Sequence, residues 1–285
     1  MRGDGLIGWL SNLSLIGVVL FVFLSMLLVA FAGHGTRILV RRFAAHGDED
    51  HSQEGYLVGS MLGVLALLMA FSFSMALDRY EERRHLVVQE ANAIGTSYLR
   101  AQLLDEPHRS RLSRLLIAYT DNRVALGTGR HAGLDRQLEI NDRLLTDIWA
   151  AVAAARDSAA RHGISVPILT AFNEVIDLDT ERKVARQVRV PAPVMLLLYG
   201  FLLLTAVVLG YVLEERRARL GAFMLFLLLA LYVSVIADLN RPASGNIQES
   251  QDAMLMLQRS LRSQPPQAFN QFASATSATE PSDVR

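Results

Sequence analysis

Residues 56–77 carry no charged side chain, and the chain then turns charged at Asp78-Arg79 with neither a proline nor a turn signal between. A helix needs about 20 residues to cross the hydrocarbon core of a bilayer, so this run is long enough. Helical apolar spacing continues through Leu86, Val87, Ile94 and Tyr98 to Leu104, and stops only before Pro107. Residues 56–104 therefore read as one helix, roughly 70 Å long at about 1.5 Å per residue. Half of it belongs in lipid and half in water. Whatever else the chain builds has to pack along it.

Composition agrees with such a division. The chain is 51% hydrophobic and 20% charged, too apolar for an ordinary soluble enzyme and too charged to lie wholly in a membrane. Its 28 basic and 28 acidic residues cancel, so nothing favours nucleic acid as a partner. Cysteine is absent, which removes disulfides, thiolate zinc sites, iron–sulfur clusters and a cysteine nucleophile together.

In chain order, an N-terminal segment, 1–12, leads into an uncharged run, 13–32. Ala30-Phe31-Ala32 before Gly33 imitates a signal-peptidase site, but the run exceeds a signal core and has only Arg2 upstream, so it reads as an uncleaved first span. A polar loop, 33–55, follows. Its His46 and His51 bracket Asp48, Glu49 and Asp50 without metal-ligand spacing, so the loop reads as solvated and metal-free. Residues 56–77 make the second span and 78–189 a helical soluble domain.

Within that domain a helix starts at Glu106-Pro107, shows Leu112, Leu115, Leu116 and Tyr119 on one face, and breaks at Gly127-Thr128-Gly129. The next runs from about 134 to 162, with Leu138, Leu145, Ile148, Trp149 and Val152 inward and Gly163 as its stop. Another begins near Pro167 and carries Ile168, Phe172, Val175, Ile176 and Asp179. No run alternates long enough for a strand. Spans three and four, 194–213 and 220–237, are joined by a polar turn so short that they form an antiparallel hairpin. A C-terminal helical segment, 238–262, shows Met254, Leu257 and Leu261, and the Ser-, Gln- and Pro-rich tail, 263–285, reads as disordered. The fold class is an all-α integral membrane protein of four transmembrane helices, with the helical domain between the second and third.

Chemistry-bearing motifs are missing. There is no phosphate loop, no G-x-S-x-G and no H-E-x-x-H, so an enzyme is the weakest reading and no cofactor is implied. His85, His108 and His162 read as surface or packing histidines, and the charged turn 78–84 as a solvated helix turn at the headgroup level. The four spans hold no Asp, Glu, Lys, Arg or His, which argues against a proton-coupled carrier. A pore needs no such charge.

At the charged turn the sequence resembles a known family. Phe71, then Asp78-Arg79-Tyr80-Glu81-Glu82-Arg83-Arg84, Leu86 and Asn92, is similar to the second helix of bestrophins. Tyr80 keeps an aromatic of that motif, and Arg79, Glu82, Arg84 and Asn92 match it. Glu81 stands where a second Trp is usual, Phe73 where Asn is common, and Val87-Val88 replace Trp-Gly. Glu90-Ala91-Asn92-Ala93-Ile94-Gly95-Thr96, Tyr98-Leu99-Arg100 and Arg241-Pro242 resemble a bacterial bestrophin-like membrane family more closely, over about 55–262.

The resemblance implies a homo-oligomer, a pentamer in bestrophins, that passes anions such as chloride. It also implies a pore narrowed by three side chains one turn apart on the second helix. Those positions are Gly63, Leu67 and Phe71, with Ser74 and Asp78 continuing the face; Gly63 departs from the apolar pattern. Helix–helix packing is the other reading of Leu67 and Phe71. The alternative function is a non-conducting, membrane-anchored structural or signalling module.

Orientation is contested. A cytoplasmic helical domain in the inner (plasma) membrane places nine Arg/Lys inside near membrane ends, whereas the reverse places six (Arg37, Arg41, Arg42, Arg216, Arg217, Arg219), in the short loops where the positive-inside rule is strongest. Bestrophin resemblance favours the cytoplasmic placement.

Overall fold

The computed structural model describes residues 14–43, 51–128, 133–242 and 245–270. Among them there are helices and no strands: α1 (Leu15–Phe43), α2 (His51–Ala101), α3 (His108–Thr128), α4 (Leu134–Ala154), α5 (Arg156–Arg161), α6 (Ser165–Gln187), α7 (Ala192–Val212), α8 (Arg216–Leu239), α9 (Asp252–Ser263) and a 3-10 turn, Pro266–Phe269. Four helices are long and apolar enough to cross a membrane: α1, α2, the one ending at Val212, and α8. The chain divides into two compact units, 1–81 with 188–248 and 82–187 with 249–285.

In the first unit α1 packs against both α7 and α8, more closely than the two hairpin helices pack on each other. The hairpin expected from the short 213–215 connection is thus a frame for α1. Glycine makes the α1–α7 approach possible. A Cβ at Gly33 would collide with the Val207 carbonyl, and one at Gly210 with the Ala30 carbonyl. Small residues at such crossings let backbones touch where lipid supplies no hydrophobic drive. Val18, Val22, Met26, Leu198, Leu202, Ala206, Phe226 and Ala230 fill the core. Phe21 stacks with Tyr199, and Phe23 meets Phe223 edge-on at 5.0 Å. From α2, Phe73 meets Tyr232 of α8 at 5.8 Å. Span hydroxyls satisfy themselves within their own helix: Ser25, Ser72, Thr205 and Ser234 donate to carbonyls three or four residues back.

The polar loop expected over 33–55 is helical over 33–43 and again from His51. Arg37 explains the extension of α1. It is 3% exposed, donates to the Tyr211 and Val212 carbonyls at the end of α7 (2.7 Å each), lies over the Tyr211 ring and pairs with Glu214, which also takes Arg41. A cation there satisfies orphan carbonyls at the negative end of a helix dipole. The acidic residues 48–50 and His46 lie outside the described residues. Beyond α8, the Asp238 carboxylate accepts the Asn246 and Ile247 N–H groups, and Asn240 Oδ1 accepts the Val190 N–H.

The second unit surrounds the far part of α2. Ile94, Tyr98, Leu112, Leu116, Ile148, Ile168, Phe172 and Met254 form its core; burying each large side chain is worth about 1.5–3 kcal/mol. The long helix ends at Ala101, three residues before the expected Leu104, because 102–104 wind into turns. Glu106 then accepts from Ser110 N–H and Oγ and from Arg109, closing the first turn of α3.

The helix expected from 134 to 162 is broken at Ala155, whose ψ of 1° departs from helical values. Past the break, Asp105 gathers Ser158, Arg161 and His162, so His162 has a carboxylate partner that is distant in sequence. Gly163 ends α5 at φ +67°, the left-handed stop that its position suggested. Trp149, expected inward, is 43% exposed; Asn141, Ile148 and Val152 take the buried side of α4. Part of the expected disordered tail is ordered. Tyr98 OH donates to the Gln264 carbonyl at 2.7 Å and Phe269 packs edge-on to the Tyr98 ring.

Candidate functional site

Helix α2 has two opposite faces in the first unit. Leu65, Met69, Ser72 and Ala76 recur at i, i+4, i+7 and i+11 and are buried. Gly63, Leu67, Phe71, Ser74 and Asp78 are all exposed. At about 100° per residue the two sets lie on opposite sides of the helix. Leu67 is 55% and Phe71 60% exposed, and a Cβ at Gly63 would meet nothing within 4 Å. Within one chain, then, Leu67 and Phe71 are not packing residues. Neighbours on this side, Gly59, Ser60, Ala66 and Ala70, are small and exposed as well. Lipid-facing helix surfaces have no need of such small residues, whereas helix–helix contacts and pore walls use them.

The motif turn divides by burial. Tyr80 packs on the first unit's core, and Arg79 is partly buried. In the second unit Glu82 and Arg84 are exposed, whereas Arg83 is buried and bonded to Glu249, so the turn is not wholly solvated. Asn92 is exposed and lines a polar groove of about 600 Å3 with Gln89, Thr170, Asn173, Asp177 and Glu181.

On the buried side of α2 sits a cluster that reading the chain in order did not find. Glu90 is 0% exposed. It accepts the Tyr119 hydroxyl at 2.7 Å, the Arg123 guanidinium at 2.9 to 3.2 Å, and Arg182. Asp179, 2% exposed, takes Arg123 at 3.1 Å, the Asn141 amide at 2.9 Å and Lys183 at 2.7 Å. Burial by itself would push the Glu90 carboxyl up. Arg123 and Arg182, helped by the Tyr119 hydroxyl, outweigh it and hold the group below its ordinary value. Burial, with the Glu90 charge beside it, drives the Tyr119 phenol well above its own. The cluster joins α2, α3 and α6 through ionised groups and α4 through the neutral Asn141 amide.

A signal for it was present. Tyr119 and Arg123 continue the Leu112/Leu116 stripe, and Asp179 and Arg182 continue Ile168/Phe172/Val175, so charges stood on apolar faces. Among the described residues no group of three His, Asp or Glu could hold a metal ion.

The family model described as Bestrophin-like domain matches residues 15–254. A crystal structure of a point variant of a bacterial bestrophin homologue from Klebsiella pneumoniae is 17% identical, with a TM-score of 0.64 over 86% of this chain and 98% of that one. A second variant of that homologue is 16% identical, with a TM-score of 0.64 over 88% and 98%. A structure described as a membrane protein is 18% identical, with a TM-score of 0.60 over 86% and 97%. No curated protein matches.

Proposed function

This chain belongs to the bestrophin-like family, and from that premise we propose that it assembles as a ring of identical copies passing anions such as chloride through an axial pore lined by α2. The observation that carries the reading is the exposed face Gly63, Leu67, Phe71, Ser74 and Asp78, which none of the described residues covers and which points away from the helix's packed side. Repeated around a closed symmetry axis, Leu67 and Phe71 become two apolar collars one turn apart that shed water and resist ions. Gly63 leaves the first position of the constriction open. A ring of Asp78 carboxylates would oppose anions, and Arg79, the next residue, is placed to offset it. Five copies is the number the bestrophin resemblance implies.

Shrinking both collars tests this. Leu67→Ala with Phe71→Ala should raise chloride flux in reconstituted vesicles several-fold, with the assembly and its melting temperature preserved. A silent double mutant that melts lower, as cavities of about 2–5 kcal/mol each would produce, means the residues pack between helices and gate nothing.

The same reading puts the second unit on the cytoplasmic side of the cell's inner (plasma) membrane, the orientation that the bestrophin resemblance supports. Thr128, exposed at the end of α3, reports the side. A cysteine introduced there should resist a membrane-impermeant maleimide in intact cells and react after lysis; labelling in intact cells reverses the orientation.

A further inference from the structure

A second feature of the first unit lies apart from the exposed α2 face. At the end of the bundle where α1 and α7 begin and α8 ends, a cavity of about 390 Å3 opens between these helices. Its walls are Val18 and Val22 from α1, Met195 and Tyr199 from α7, and Val233 and Ala237 from α8. At its rim stand Arg189 and Arg241. Arg189 is exposed, and among the described residues no carboxylate pairs with it. Arg241 is buried. Burial lowers its pKa, and Arg189 adds to the lowering against the opposing charge of Asp238. At the same end of the bundle the Asp238 carboxylate accepts two backbone N–H groups. The first turn of α7, Pro191 and Ala192, borders the same opening and adds the positive end of its dipole.

We propose that this cavity is a binding site for an anionic phospholipid, one acyl chain lying along the Val18–Val233 walls and the phosphate held at Arg189 and Arg241. Each part has a chemical reason. Volumes of about 300–1,000 Å3 suit a hydrophobic ligand segment. Apolar walls with cations at one end match an amphiphile, not a free anion. The rim lies where spans enter and leave the bilayer, the level of lipid phosphates, and basic pockets between transmembrane helices select acidic headgroups there. The site needs neither a ring nor conduction, so it stands apart from the pore reading.

The test uses the purified full-length assembly in detergent. Phosphatidylglycerol, phosphatidylcholine of the same chains, and glycerol phosphate are added separately, with lipid retention read by native mass spectrometry and stability by melting temperature. Phosphatidylglycerol should be retained and raise the melting temperature by several degrees, while the other two do less. Arg189→Gln should cut phosphatidylglycerol retention about fivefold, the effect of one arginine near a headgroup. Arg189→Lys should restore most of it. Met195→Trp, which fills the cavity, should reduce retention of both lipids. Equal retention of the two lipids overturns the proposal, as does a glycerol phosphate shift matching that of phosphatidylglycerol, which would mark a free-anion site. So does absence of retained lipid in the intact assembly, which would mean that another copy of the chain fills the cavity.

Discussion

The hydroxyls within the first unit's spans and the ionised core of the second unit are satisfied by opposite means, although Arg37 of the first unit also bonds across helices. In the first, the hydroxyls of Ser25, Ser72, Thr205 and Ser234 bond carbonyls of their own helices, and the spans meet through apolar side chains and the Gly33/Gly210 crossing. In the second, the buried Glu90, Arg123, Asp179 and Arg182 bond across three helices, and Asn141 of a fourth bonds to Asp179. The physical difference is the alternative each group faces. In hydrocarbon no partner is guaranteed, so a span keeps its polar bonds local. In a water-facing helical unit, long-range ion pairs are tolerable when every member is matched, and they fix which helix lies against which.

Removing the Glu90 charge breaks this contrast most strongly. Glu90→Gln leaves Arg123 and Arg182 buried against Asp179 alone, and should destabilise the second unit by about 3–5 kcal/mol in chemical denaturation. A loss under 1 kcal/mol would mean that water already solvates the cluster.

The matching lesion in the first unit is steric. Gly210→Val drives a branched side chain into the Ala30 carbonyl and should cost about 1–3 kcal/mol through separation of α1 from α7. Cysteine cross-linking between Ala30 and Val207 measures that separation; an unchanged cross-linking rate would show that the crossing has room to spare.

Acid gives the smallest and most selective effect. Because Glu90's folded pKa lies below its ordinary 4.5, the stability it contributes is complete above about pH 4.5 and is lost as pH falls from there through the folded value. Melting temperature should therefore drop below pH 4.5, and Glu90→Gln should flatten that slope. It should not abolish the slope, since Asp105, held far below the usual carboxylate range by its bonds to His162, Arg161 and Ser158, and Asp142, lowered by its bond to Lys183, add to it. An identical slope in the variant would remove Glu90 from the account.

Much of the architecture is a property of segments and was therefore readable in them. Hydropathy sums over adjacent residues, so the four apolar runs mark their helices without reference to anything distant. The absence of any break between Leu77 and Asp78 likewise announces the long α2. Gly163 and Pro107 punctuate for reasons confined to their own backbones. The exposed α2 face was nameable from the bestrophin resemblance, and its spacing is local too.

Partnership was decided elsewhere. Whether Arg37 belongs to a loop or ends a helix depends on the carbonyls of Tyr211 and Val212, 174 and 175 positions away. Glu90 reads like any charged helix residue until Arg123 and Arg182, 33 and 92 positions on, arrive beside it. Trp149 looks like a core residue until packing turns α4 to bury Asn141 instead. A single charge or ring carries no record of its partner, because burial is a relation between surfaces that only the folded chain brings together.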